Sequence, residues 1–194
     1  MKMKKLSVVL LSLLAAVMVL SGCGGGAQDN DSAESAENGA KNSDQAILVV
    51  SFGTSYNDSR DKTIGAIETA AAEAFPEYEV RRAFTSQIII DKLKERDNLE
   101  IDNVTEALDR AVADGIKTLI VQPTHLMNGY EYTDLKEELE TYRDKFEKIA
   151  LGEPLLTSEE DFRAVAETIT SETSSYDDGK TAICFMGHGT EADS

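Results

Sequence analysis

The chain has 194 residues, of which 41% are hydrophobic and 28% are charged. These proportions resemble those of globular proteins, so they exclude a wholly disordered or collagen-like chain. The chain has 19 lysines and arginines and 36 aspartates and glutamates, so its net charge is −17. Nucleic acid is therefore disfavoured as a partner, because phosphate backbones repel an acidic protein. Two cysteines exclude a disulfide-rich scaffold.

Residues 1–22 are typical of a bacterial secretory signal. Three lysines precede position 6, and residues 6–20 form an uncharged apolar stretch that is short for a membrane span. Residues 20–23, Leu-Ser-Gly-Cys, resemble a lipobox, the motif whose cysteine is lipidated and becomes the mature N-terminus. The segment therefore predicts an exported lipoprotein, anchored through Cys23 on the extracytoplasmic side of a membrane. An ordinary cleaved signal and an uncleaved anchor are the alternatives.

Residues 23–45 contain no aromatic side chain and no aliphatic side chain larger than that of alanine. Such a segment cannot bury enough apolar surface to offset its chain entropy, so it predicts a disordered acidic linker. Loss of the signal would remove three lysines and no acid, taking the net charge from −17 to −20. Cys184 would then be the remaining unmodified cysteine, and its apolar neighbours favour a packed side chain over a reactive thiol.

After the linker, apolar runs alternate with helical patterns. The run Ala46–Val50 is wholly apolar, as in a strand buried on both faces of a parallel sheet. The later elements predicted are a helix from Asp58 or Ser59 to Phe75, a strand at Tyr78–Phe84, a helix from Ser86, a helix capped by Asp102, a strand at Thr118–Val121, a helix at Thr133–Phe146, a strand at Lys148–Leu151, a helix from Thr157 or Ser158 to Thr173, and a strand at Thr181–Met186. This order predicts an α/β fold, a parallel sheet flanked by helices, with ligands outside the carboxyl ends of the strands.

The sequence contains one internal repeat. Residues 49–54 align without gaps on residues 185–190, an offset of 136 residues, and both segments read as a strand followed by a loop containing Gly-Thr. The repeat predicts that residues 46–180 form one lobe and that residues 181–194 begin a second, similar lobe. We therefore expect the printed sequence to stop inside that second lobe.

The two histidines both follow predicted strands, where an α/β cleft forms. His188 lies between two glycines, which let a ligand or another chain approach closely. The alternative is a loop histidine hydrogen-bonded to the start of a helix. For His125, packing into the core with Leu126 and Met127 is the simpler interpretation.

Glu131 follows an Asn-Gly pair and, from its position alone, reads as an acid at a helix N-terminus, where the helix dipole favours it. The sequence contains no G-x-G-x-x-G fingerprint, P-loop lysine, C-x-x-C or H-E-x-x-H motif. No self-contained zinc site can therefore be assembled from neighbouring residues.

Five segments, taken together and in order, carry a family likeness. They are Ile47–Tyr56, Arg82–Ile90, His125–Tyr132, Leu151–Leu156 and Met186–Gly189. They resemble the anaerobic cobalt chelatases of the CbiK type, which insert Co²⁺ into sirohydrochlorin on the route to cobalamin. The likeness covers residues 46–194.

The resemblance implies two similar lobes with the tetrapyrrole held between them. It implies that His188 acts at the metal and accepts a proton, and that Glu131 lines the pocket as a catalytic residue. A further histidine would come from the second lobe, with His125 as its first-lobe counterpart. The tetrapyrrole-binding residues implied in the first lobe are Ser51, Phe52, Gly53, Thr54 and His125.

The implied activity is that of a sirohydrochlorin cobaltochelatase, a lyase with a tetrapyrrole and a divalent ion as substrates and no tightly bound cofactor. The residues do not select Co²⁺ over Fe²⁺ or Ni²⁺. A ferrochelatase-type enzyme, a lipid-anchored tetrapyrrole or metal carrier, and a lobe without activity are the alternatives, and a homo-oligomer is compatible with each. Because the second lobe would lie beyond residue 194, we expect this chain alone to be a poor catalyst.

Overall fold

The computed structural model describes residues 44–187. The predicted signal, nearly all of the predicted linker, Cys23 and His188 lie outside the described residues. The strands form one parallel sheet in the order β2-β1-β3-β4: β1 (Gln45–Ser51), β2 (Glu79–Phe84), β3 (Thr118–Pro123) and β4 (Lys148–Leu151). The predicted α/β class is confirmed.

Six α-helices accompany the sheet in the described part of the chain. They are α1 (Asn57–Lys62), α2 (Ile64–Ala74), α3 (Gln87–Asp97), α4 (Val104–Ala113), α5 (Tyr130–Glu140) and α6 (Glu159–Thr173). Short 3₁₀ turns occupy Arg143–Lys145 and Ser174–Tyr176. Within residues 44–187, no helix combines the length and the apolar character needed to cross a membrane.

The sheet is covered on both faces, as the apolar run of β1 predicts. Residues 46–50 are at most 4% exposed because β1 pairs with β2 on one side and with β3 on the other. Side chains alternate along a strand, so Val50 and its partner Ala83 face α4 and α5, whereas Phe84 faces α2 and α3. The core therefore has two layers, one on each side of the sheet.

The helix predicted from Asp58 or Ser59 to Phe75 is two helices, broken at Thr63. Thr63 has φ −115° and ψ −77°, and its hydroxyl donates to the carbonyl oxygen of Ser59 at 2.6 Å. Thr69 makes the same kind of hydroxyl bond, to Gly65, inside the unbroken α2, so the bond alone does not account for the break. Neither Asp58 nor Ser59 caps α1; Tyr56 occupies the N-cap position without a side-chain hydrogen bond.

The cap predicted at Asp102 belongs to Asn103 instead. The Asn103 side chain accepts from the backbone N–H of Glu106, and the Glu106 carboxylate accepts from the backbone N–H of Asn103, which makes a capping box. Asp102 is engaged elsewhere, because Arg110 binds both of its carboxylate oxygens at 2.7 Å. The Asp102 carboxylate is thus engaged by Arg110, and the next residue, Asn103, caps the helix.

The helix predicted at Thr133–Phe146 begins earlier and ends earlier. Gly129 is the N-cap, and α5 runs from Tyr130 to Glu140. Phe146 is 7% exposed and packs into the core, and the 3₁₀ turn before it redirects the chain into β4. The earlier start places Glu131 in the first turn of α5, at the end that faces the strand termini.

The strand predicted at Thr181–Met186 is not formed. Residues 181–187 have irregular, exposed backbone; Phe185 is 65% exposed and Met186 is 99% exposed. A strand is held by a hydrogen-bonded neighbour and by burial of its side chains, and within the described residues neither edge of the sheet pairs with this segment. Cys184 is accordingly an exposed thiol, so its predicted packing is wrong.

Candidate functional site

The loops that follow the first three strands are joined by backbone hydrogen bonds. The N–H of Thr85 donates to the carbonyl of Ser51 at 2.9 Å, and the N–H of Thr124 donates to Val50 at 2.8 Å. The N–H of Ser86 reaches the carbonyl of Phe52 at 3.3 Å. These bonds extend the sheet past its formal end, so residues from three loops meet at the edge where an α/β fold binds ligands.

The loop after β4 supports the loop that carries His125. The backbone N–H of Leu155 donates to the carbonyl of His125 at 3.0 Å, and that of Leu156 donates to Leu126 at 2.7 Å. Gly152 donates to Val121 at 2.8 Å. The segments His125–Tyr132 and Leu151–Leu156, two of the five that carry the family likeness, are therefore hydrogen-bonded to each other. These bonds hold the backbone of His125 in place.

His125 is a buried imidazole beside a carboxylate. Its side chain is 8% exposed, and its Nε2 lies 3.7 Å from Oε2 of Glu131. Neither ring nitrogen has a hydrogen-bond partner among the described residues. His125 is thus buried as expected, but it is not a satisfied core histidine, and its neighbour Leu126 is 58% exposed.

Burial lowers the pKa of His125 from its ordinary value of 6.5, and the nearby Glu131 carboxylate opposes that shift with a smaller effect. Desolvation disfavours the charged form of an imidazole, so the ring is neutral at pH 7. The His125–Glu131 contact is thus one between a neutral ring and a carboxylate, not an ion pair.

Glu131 lies at the N-terminus of a helix, as predicted, and it also lines a cavity. It lies in the first turn of α5, where the helix dipole favours its charge, and its side chain is half exposed. Its carboxylate lines a cavity of about 230 Å³. Asp134 and Glu138 follow on the same wall, so this wall of the cavity is acidic.

The lining of the same cavity also includes Phe52 and Thr85. Phe52 is 49% exposed, which leaves an aromatic surface for a ligand. The Thr85 hydroxyl is buried and has no hydrogen-bond partner within the described residues. An aromatic surface and carboxylates in one cavity suit a flat ligand with N–H donors or a bound cation. Larger grooves of about 380 and 650 Å³ flank β4 and β2, and neither includes a histidine, Phe52 or Glu131.

The remaining residues of the first loop shape it. Ser51 is 2% exposed, and its hydroxyl also lacks a partner among the described residues. Gly53 has φ +96°, a conformation that favours glycine. The Thr54 hydroxyl accepts from the backbone N–H of Tyr56 at 3.3 Å. Gly53 and Thr54 therefore hold the loop that presents Phe52.

The structure brings Phe52 and Glu131 to one cavity and places His125 beside Glu131. It does not test His188, which lies outside the described residues. Within residues 44–187, no group of three or more histidine, cysteine, aspartate or glutamate side chains is arranged to hold a metal ion. Thr85 was not predicted as a site residue; its position directly after β2, on the face opposite to Phe84, was the available signal.

Residues 45–194 match the family model described as cobalt chelatase (CbiK). The chain is 39% identical over 145 residues to a sirohydrochlorin cobaltochelatase of Salmonella typhimurium and 32% identical over 148 residues to the sirohydrochlorin cobaltochelatase CbiKC of Nitratidesulfovibrio vulgaris. These alignments cover 75% of this chain and 54% and 52% of those proteins, so the chain spans about half the length of the curated relatives it matches.

Among solved structures, the chain is similar to a cobalamin (vitamin B12) biosynthesis CbiX protein from Marinobacter aquaeolei. The TM-score is 0.48 and the sequence identity is 16%. The match covers 68% of this chain and 97% of that protein.

Proposed function

The chain belongs to the CbiK family of cobalt chelatases, and from that membership we propose that the protein inserts Co²⁺ into sirohydrochlorin in anaerobic cobalamin biosynthesis. The observation that carries the proposal is the His125–Glu131 pair, 3.7 Å apart, at an acidic and aromatic cavity beyond the strand ends. A planar tetrapyrrole with N–H groups and a divalent cation are ligands of the kind this cavity suits.

The proposed reaction needs a proton acceptor. Two pyrrole N–H bonds break, bonds from nitrogen to Co²⁺ form, and two protons leave the tetrapyrrole. A neutral imidazole is a suitable base near pH 7, and imidazole is also a fitting ligand for a first-row divalent ion. We assign the roles of metal ligand and acceptor of one proton to His188. Glu131 is the catalytic carboxylate that faces the ring and accepts the other proton, and both protons then pass to the solvent.

The tetrapyrrole side of the site is formed by the loop after β1. We propose that the exposed ring of Phe52 contacts the face of the macrocycle, and that Gly53 and Thr54 act by holding this loop. The unpartnered hydroxyl of Ser51 and the imidazole of His125 complete the proposed set. This arrangement leaves the carboxylate of Glu131 free to approach the pyrrole nitrogens.

The N-terminal segment supports a proposal about where the protein is located. We propose that residues 1–22 are a signal, that Cys23 is lipidated, and that the protein is held on the extracytoplasmic side of a membrane by the linker that follows. Support comes from the lipobox-like sequence and from the composition of residues 23–45.

The export signal favours one second candidate function, that of a lipid-anchored tetrapyrrole or metal carrier. A carrier would use the same cavity without turnover. Fe²⁺ or Ni²⁺ insertion is a variant of the enzyme proposal, because imidazole and carboxylate groups suit each of these ions.

Anaerobic mixing of sirohydrochlorin with protein expressed from the whole gene separates these functions. Co²⁺ is then added, and the absorbance spectrum of the tetrapyrrole is followed with Fe²⁺ and Ni²⁺ in parallel. Insertion of Co²⁺ faster than in buffer alone supports the chelatase. A spectral change on binding, with insertion no faster than in buffer, supports the carrier and overturns the enzyme proposal.

A further inference from the structure

The buried ring of His125 has unused hydrogen-bonding capacity. A neutral imidazole carries one donor and one acceptor, and both nitrogens are without partners among the described residues although the side chain is only 8% exposed. Leaving a buried polar group unsatisfied costs free energy, and such groups in native proteins call for an explanation. Oε2 of Glu131 is an acceptor close to this ring, 3.7 Å from Nε2.

The two backbones around this contact are fixed. The carbonyl of His125 accepts from Leu155, and the carbonyl of Gly129 accepts from both the backbone N–H and the hydroxyl of Thr133, at 3.1 Å each. The half-exposed side chain of Glu131 is the mobile partner. A rotamer change of Glu131 can therefore shorten the contact to hydrogen-bond distance without moving the chain.

We propose that His125 is a positioning residue, whose neutral imidazole donates its Nε2–H to one oxygen of Glu131 and so directs the other oxygen into the cavity. The donor leaves the carboxylate charged, because no proton is transferred. Among the described residues, Glu131 is the charged group that acts electrostatically on this imidazole. The proposal rests on the proposed function only for what Glu131 does to a substrate.

A spectroscopic test needs neither substrate nor metal. The chain has two histidines, so ¹⁵N-histidine NMR of the full chain in detergent micelles gives two sets of ring resonances, and His188→Asn identifies those of His125. We expect the Nε2–H tautomer at pH 7 and a lower pKa of His125 in Glu131→Gln, because the attraction to the carboxylate is lost. The matched control is Glu137→Gln, an exposed position on the same helix, which should leave the His125 resonances unchanged.

Two results would overturn the proposal. One is an Nδ1–H tautomer or a charged ring in the unmodified chain at pH 7, which needs no variant to be observed. The other is a His125 spectrum and pKa that are the same in Glu131→Gln as in the unmodified chain, with the amide spectrum showing that the variant is folded.

A kinetic test asks whether the positioning matters for the proposed reaction. Replacing groups that orient a functional ligand typically costs about 10–100-fold in activity or affinity. For protein from the whole gene, we expect His125→Leu to slow Co²⁺ insertion about 10-fold or more at saturating sirohydrochlorin. His125→Gln keeps an N–H donor at the Nε2 position and should recover most of the rate.

Equal loss in His125→Leu and His125→Gln would contradict positioning by hydrogen bonding. If no protein inserts Co²⁺, the chelatase proposal fails, whereas the tautomer and the pKa of His125 still decide whether His125 donates to Glu131.

Discussion

Gly53 lies so close to the ring of Phe84 that a Cβ atom added to it would come within 2.5 Å of Cδ2 of that ring. Phe84 is fully buried at the end of β2, so its ring cannot move away without disturbing the layer of core beneath α2 and α3. The positive φ of Gly53 adds a second constraint. The loop that presents Phe52 thus depends on a glycine at this position.

Gly53→Ala should destabilise the fold and displace the loop. We expect the free energy of unfolding to fall by about 2–4 kcal/mol, from the strained backbone together with overpacking against Phe84. Urea denaturation followed by circular dichroism measures this loss. Gly115→Ala is the matched control, because Gly115 has φ +77° but no atom near its added Cβ. Equal losses in the two variants would show that the Phe84 contact is unimportant.

The two capping boxes should differ in their contribution to stability. Asn103 caps α4, which buries four residues against the sheet, so Asn103→Ala should lower the free energy of unfolding by about 1 kcal/mol. Ser158 caps α6, none of whose residues is buried. Ser158→Ala should therefore speed hydrogen exchange in α6 and leave the urea midpoint of the sheet nearly unchanged. A larger midpoint shift for Ser158→Ala than for Asn103→Ala would contradict this difference.

The stability of the chain should depend on pH through His125. Burial lowers the folded-state pKa of His125 below 6.5, so the unfolded chain binds the proton more tightly. The contribution of His125 to the free energy of unfolding is fully present above pH 6.5. It declines as the pH falls from 6.5 to the folded-state pKa, and then levels off. We expect the unmodified chain to lose more stability than His125→Asn between pH 7.5 and pH 5, measured by urea denaturation. Parallel pH profiles would refute the burial effect.

Membrane anchoring should depend on Cys23. In cells given labelled palmitate, the unmodified chain should take up label and sediment with membranes, whereas Cys23→Ser should do neither. Cys184→Ser is the matched control, since Cys184 is the other cysteine and should leave labelling intact. Label retained in Cys23→Ser, or absent from the unmodified chain, would contradict the lipoprotein proposal.

Much of the sheet could be predicted because its signals are local. The apolar run of β1 indicates burial on both faces, and Ser158 with Asp161 forms the cap expected for the last helix. Predictions failed where two neighbouring side chains compete to cap a helix, or where a strand needs a neighbouring strand to pair with. Asp102 pairs with Arg110 rather than capping, and the apolar residues 181–186 have no neighbouring strand in the described part of the chain.

The candidate site was predictable in its parts but not in its geometry. His125 and Glu131 were both predicted as site residues from the family resemblance, but their proximity depends on α5 starting at Tyr130 and on the loop after β4 bonding to His125. Neither feature has a local sequence signal. The unpartnered hydroxyl of Thr85 is likewise visible only once the loops are assembled.

The central claim is that the carboxylate of Glu131 and the imidazole of His188 drive metal insertion. The most direct test is the anaerobic single-turnover rate of Co²⁺ insertion into sirohydrochlorin by protein from the whole gene, compared with Glu131→Gln and His188→Ala. We expect insertion faster than in buffer and a loss of about 100-fold or more in each variant, because acid–base groups contribute about 10²–10⁴-fold. Rates in both variants equal to that of the unmodified protein, or an unmodified protein no faster than buffer, would contradict the central claim.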